Sequence, residues 1–112
     1  MVSIPKFHYS VDTNAKVAIC VPVRDTVTAV FTQSLAMLTK KCGETKQKMS
    51  LHMVMGSEVA MQRQQLVDEA METDCTHILW LDSDMSFPTN TLQALLSHDK
   101  DIIACNYSTR VA

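Results

Sequence analysis

Asp82 and Asp84 stand one residue apart at the end of an apolar run, His77-Ile78-Leu79-Trp80-Leu81, with Ser83 between them and Met85-Ser86 following. The run reads as a buried strand that delivers carboxylates to its mouth. Extended chain turns successive side chains to opposite faces, so Asp82 and Asp84 are expected on one face and Ser83 on the other. Neighbouring carboxylates repel, and a divalent cation or a hydrogen-bonding ligand offsets that repulsion most easily. Other readings compete. A calcium loop beginning at Asp82 would need glycine where Phe87 stands and a bidentate glutamate where Gln93 stands. A phosphoaspartyl motif of the haloacid-dehalogenase-like phosphatases belongs at a first strand, whereas this pair comes late in the chain. A helix-capping pair at a strand-to-helix turn also suits the residues, since acidic side chains favour a helix N-terminus; capping needs one aspartate, and this turn supplies two.

The flanking segments carry the signals of a scaffold for that turn. Residues 16–23, KVAICVPV, are almost continuously apolar and branched, as in a parallel strand covered on both faces. Pro22 cannot donate to a ladder and fits only near the strand's end, where the chain leaves through Arg24 and Asp25. Val27, Val30, Phe31, Leu35 and Leu38 then recur at helical spacing, with Asp25 or Thr26 as N-cap and Lys40, Lys41 and Gly43 marking the end. Met49, Leu51, Met53 and Met55 alternate with period two, a second and less buried strand. Gly56 breaks it, Ser57 can cap, and Glu58 opens a helix reaching about Glu72, with Leu66, Val67, Ala70 and Met71 as its apolar stripe. Arg63 lies one turn before that stripe, on the side expected to face the sheet, where it either meets an anion or snorkels to solvent.

Beyond the third strand, Pro88 and Thr89 open a helix whose inner face is Leu92, Leu95 and Leu96, closing near His98, and residues 101–107 read as a fourth strand. Strands alternating with helices imply an α/β fold: a Rossmann-like parallel sheet with helices on both faces. Such sheets bind ligands beyond the carboxyl ends of their strands, where Arg24, Asp25, Ser57, Asp82, Asp84 and Asn106 all fall. Neither G-x-G-x-x-G nor G-x-x-x-x-G-K-[ST] is present, so a phosphate must be held another way. Trp80 reads as core because its neighbours are apolar, and most of the 8 methionines read as core filling. The histidines show no metal-ligand spacing.

Composition sets the outer limits. The 112 residues suit one domain, with Asp12-Thr13-Asn14 as a turn between an N-terminal arm, 1–15, and a body, 16–112. A hydrophobic share of 46% against 20% charged residues describes an ordered globular chain. A net charge of -2 argues against nucleic-acid binding, and Lys40, Lys41, Lys46 and Lys48 read as a solvated helix end and loop. Cys20, Cys42, Cys75 and Cys105 have no C-x-x-C spacing and read as reduced, structural side chains. No stretch is long enough to span a bilayer and the start lacks a signal-peptide layout, so the expected location is cytoplasmic.

The sequence 76–85, THILWLDSDM, preceded by a helix arginine and followed by Pro88, a leucine-rich helix and His98-Asp99-Lys100-Asp101-Ile102-Ile103, resembles the nucleotide-sugar-binding half of GT-A-fold glycosyltransferases. It is most similar to family 2 members, with a local likeness at 98–103 to Anp1-type mannosyltransferases. The likeness spans 16–110, and its specific part is 76–107. It implies that Asp84 ligates Mn²⁺ or Mg²⁺ and that Asp82 contacts the ribose or the metal. It further implies that Pro22, Arg24, Asp25, Ser57, Arg63 and Ser83 lie along a UDP- or GDP-linked sugar. The expected activity is metal-assisted transfer of a hexose, the cation bridging the diphosphate of the leaving group. Two departures stand out. Met55-Gly56-Ser57 replaces the uracil-contacting aspartate of many family 2 enzymes, and the chain ends before the acceptor-side half and the family's usual base. A non-catalytic nucleotide-binding or assembly module is therefore the alternative. The family's antiparallel strand between the third and fourth strands is also missing, so an apolar strand edge invites self-association as a homo-oligomer.

Overall fold

The computed structural model describes residues 14–103. Its elements run β1 (Lys16–Val23), α1 (Ala29–Glu44), β2 (Lys48–Met55), α2 (Val59–Glu72), β3 (His77–Trp80) and α3 (Thr91–Leu96). The three strands form one parallel sheet in the order β2-β1-β3. β1 is central because it is apolar on both faces. Val17, Ile19, Val21 and Val23 pack with Phe31, Leu38 and Cys42 of α1, with Leu81, and with Leu92 of α3. Ala18 and Cys20 pack on the other face with Val54 and with Leu66 and Ala70 of α2. The chain moves from β1 outward to β2, then back past β1 to β3. Two crossovers of one hand that run in opposite directions must lie on opposite faces, and α1 and α2 do.

The backbone of β1 explains how a proline sits in a central strand. Thr76 and Leu81 donate N–H groups to the carbonyls of Lys16 (2.8 Å) and Cys20 (3.1 Å), so the even residues of β1 turn their polar groups toward β3. Gly56 donates to Val23 O (3.0 Å) from the β2 side. Pro22 is even, and the donor it lacks would point to where β3 has already left the sheet.

Element ends differ from the sequence expectation in ways the geometry accounts for. Thr28, rather than Asp25 or Thr26, caps α1, its hydroxyl accepting the Phe31 N–H at 3.2 Å. The helix runs through Gly43 and stops at Thr45, after which Lys46 takes φ 59, the left-handed turn that ends many helices. Asp74 (φ 60) and Asp99 (φ 48) make the same turn after α2 and α3. Glu58 occupies the N-cap position of α2 in place of Ser57, without a side-chain cap bond. Its buried stripe is Gln62, Leu66 and Ala70, one residue per turn, which leaves Met71 exposed and Val67 only half-buried. α3 begins at Thr91, later than Pro88.

β2 lies at an edge, so the alternation of Met49, Leu51, Met53 and Met55 points toward the α1 face but beyond its cover. Leu51, Met53 and Met55 are 41 %, 42 % and 69 % exposed rather than filling a core. The start of the expected fourth strand is not strand: Asp101 and Ile102 form a bend, with Ile102 92 % exposed. The remainder of that segment, with Cys105 and Asn106, and the N-terminal arm through Thr13 lie outside the described residues. Among the described residues no helix is long and apolar enough to cross a membrane.

Candidate functional site

In a sheet ordered β2-β1-β3 the chain leaves β1 in one direction and later returns to its other side, which puts the switch point at which such sheets bind ligands beyond the carboxyl ends of β1 and β3. The loop after β1 carries Arg24 and Asp25, both exposed, and Pro22 lies half-buried just inside the strand. The loop after β3 carries Asp82, Ser83 and Asp84. These two loops are joined directly, the Thr28 N–H donating to the Ser83 carbonyl at 3.2 Å. Ser83 is thus held through its backbone to the residue that caps α1. A second tie follows, from Phe87 N–H to the Ser34 hydroxyl at 3.2 Å, and the Phe87 ring meets Phe31 edge to face at a centroid separation of 6.0 Å.

The strand ends at Trp80, and Ser83 and Asp84 form a turn. The alternation argument therefore stops two residues short of Asp82: the two aspartates are gathered by a turn rather than by the pleat. Both carboxylates are exposed and both have interaction partners. Two hard oxygen ligands suit Mg²⁺ or Mn²⁺, ions commonly held by one or two carboxylates while water and substrate phosphate complete the shell. Among the described residues no group of three or more His, Cys, Asp or Glu side chains is gathered as an all-protein metal cage.

The third loop, after β2, carries Ser57, exposed in a bend. Its anchor is Gln62, a residue that composition and periodicity left unmarked. The Gln62 amide is buried, donating from Nε2 to Val23 O at 2.9 Å and to Gly56 O. One side chain thereby ties the ends of β1 and β2 to the first turns of α2. Gly56 suits that approach, because a Cβ there would press on Gln62 Nε2 at 3.1 Å, closer than an ordinary contact.

Arg63 follows Gln62 and is exposed, yet its side chain reaches the sheet at the end of β3. Its guanidinium carbon lies over the Trp80 ring, 5.8 Å from the centroid. Trp80 shares its sheet face with Ile78 and thus with α2, but as the last residue of a short edge strand it is 41 % exposed rather than core. The signal that could have found this pair is the alternation Ile78/Trp80 against Leu79/Leu81, which sends the tryptophan to the face that α2 only partly covers. A cavity of about 150 Å³, lined by Lys16, Lys48, Ser50, Thr73 and Cys75 among others, lies at the opposite, amino ends of the strands.

The thiols do not belong to this site. Cys20 and Cys42 are buried, and burial pushes both up from the ordinary thiol range, Cys20 to about 11 with Cys75 and Glu69 adding to the effect. Cys20, Cys42 and Cys75 are free. A family model described as Anp1 matches residues 25–112, a span that includes β3, the Asp82-Ser83-Asp84 turn and α3. No curated protein and no solved structure matches the chain.

Proposed function

The chain belongs to the Anp1 family, and from that premise we propose that it binds a nucleoside-diphosphate sugar at the β1/β3 switch point and acts in metal-assisted glycosyl transfer. The family is mannosyltransferase-related, and the match to it is the observation that carries the reading. In this reading Asp84 ligates Mn²⁺ or Mg²⁺, and Asp82 contacts the ribose or the metal through water. The 22–25 loop and Ser57 border the nucleotide, Ser83 fixes the turn against α1, and Arg63 receives diphosphate oxygens. A cation held on that turn would neutralise charge on the departing nucleoside diphosphate. The order β2-β1-β3 with helices on both faces supports assigning the chain to the nucleotide-binding half of a GT-A fold. Self-association belongs to the same proposal, since among the described residues both edges of the sheet are unpaired.

Calorimetric titration with UDP and GDP, with and without Mn²⁺, tests the site. Wild-type protein binds one of the two nucleotides more tightly when the metal is present. Asp84→Asn, which removes charge and keeps size, abolishes the metal dependence. A variant that retains full metal-dependent binding would remove Asp84 from the site.

A further inference from the structure

Arg63 and Trp80 meet at the end of β3, two residues ahead of Asp82, on elements brought together by the packing of α2 across the sheet. We infer that Trp80 is a positioning residue for Arg63, holding the guanidinium at the strand mouth where it takes the diphosphate of a bound nucleotide. This rests on the nucleoside-diphosphate reading and deepens it by naming the device that aims its cation.

The physical case begins with the partner that Arg63 has. Among the described residues its partner is the indole, 5.8 Å from guanidinium carbon to ring centroid, instead of a carboxylate. A carboxylate would consume the N–H groups and cancel the charge. A ring face does neither: it attracts the cation through its quadrupole and leaves the N–H donors available for a bidentate phosphate contact. An exposed arginine otherwise samples many rotamers, and that freedom must be given up when an anion binds. Holding the group over the ring beforehand removes part of that loss. Tryptophan is also the aromatic residue that attracts a cation most strongly. It is the chain's single tryptophan, and at 41 % exposure, at the last position of β3, its ring remains accessible beside the strand mouth.

Calorimetry with GDP and UDP in the presence of Mn²⁺, on wild type, Trp80→Leu, Trp80→Phe, Arg63→Met and the Trp80→Leu/Arg63→Met double variant, decides the matter. Trp80→Leu is expected to weaken nucleoside-diphosphate binding about two- to fivefold, the range of an exposed cation–π contact, while Trp80→Phe recovers part of the loss. In the Arg63→Met background Trp80→Leu is expected to add nothing, because its effect passes through the guanidinium. Far-UV circular dichroism on each variant checks that the exposed position tolerates the change. Equal affinity in wild type and Trp80→Leu, or an undiminished Trp80 effect without Arg63, overturns the inference while metal-dependent binding at Asp84 stands. Wild-type protein that binds neither nucleotide overturns both.

Discussion

Cys20 shows how one buried atom ties stability to the centre of the sheet. Its thiol is fully buried in the central strand, where the nearest acceptors, Leu66 O at 3.9 Å and Ala18 O at 4.0 Å, are weak sulfur contacts. Burial raises its pKa to about 11, with the proximity of Cys75 and Glu69 adding to the shift. At neutral pH it is a protonated, small apolar side chain and no nucleophile. The consequence for stability has a definite sign. The folded state keeps a proton that the unfolded chain releases near pH 9, so the stabilisation is complete below that value and is lost as pH rises toward 11. Thermal unfolding of wild type and Cys20→Ala between pH 8 and 11 is expected to show an extra loss in wild type, on the order of 2 kcal/mol by the upper end. Traces that stay parallel across this range would mean that the thiolate is not disfavoured in the fold.

At the scale of elements the site depends on latches between loops as much as on strands. Gln62 bonds one carbonyl at the end of β1 and one just past β2, and α2 is thereby registered against the mouth of the sheet. Gln62→Leu keeps bulk but leaves Gly56 O without the Gln62 donor and Val23 O with the Gly56 N–H alone. An unsatisfied buried acceptor costs about 1–3 kcal/mol, so urea unfolding should show a loss in that range, with Gly56 O the acceptor left short. Gly56→Ala should act on the same contact by pressing on the amide, and the two changes together should cost less than their sum. Full additivity would show that Gly56 and Gln62 act independently. These latches also mark where sequence reading stopped. The alternation of strands and helices, the central place of 16–23 and the delivery of Asp82 and Asp84 to a strand mouth follow from apolar periodicity, which is a local property. Gln62 looks like any polar residue of a helix surface, because its partners are backbone carbonyls 39 and 6 residues away. Trp80 reads as core from its apolar neighbours, whereas its exposure follows from its place at the end of a short edge strand on the face that α2 only partly covers. The cap of α1 falls on Thr28 rather than on Asp25 or Thr26, and the Thr28 N–H bonds to Ser83 O, 55 positions along the chain.

At the scale of the molecule the sheet has more apolar surface than its helices cover, and the excess is concentrated on β2. The Gly56 N–H to Val23 O bond fixes the parity of this strand: its even residues turn their backbone groups toward β1, and Met49, Leu51, Met53 and Met55 turn theirs outward. The same odd residues carry the exposed side chains, so among the described residues backbone donors and apolar side chains line one open edge, eight residues long, whose charged residue is Lys48 at its start. β3 offers a shorter edge of four residues. An unprotected edge of that length is a template for another strand, and a twofold pairing of β2 with β2 of a second copy satisfies both edges at once. The fourth-strand segment was the expected route to self-association, but its first residues, Asp101 and Ile102, form a bend, which moves the expectation to β2. Proline separates pairing from folding here. At position 53 it deletes an N–H that points away from β1, which an edge strand tolerates, and it blocks a neighbouring strand. Light scattering over a range of concentrations is expected to show a wild-type species of about twice the chain's mass and a Met53→Pro variant at monomer mass, with urea unfolding of the two differing by less than about 2 kcal/mol. Wild-type protein that stays monomeric at every concentration, or a Met53→Pro variant that dimerises as wild type does, would show that this edge is not the contact.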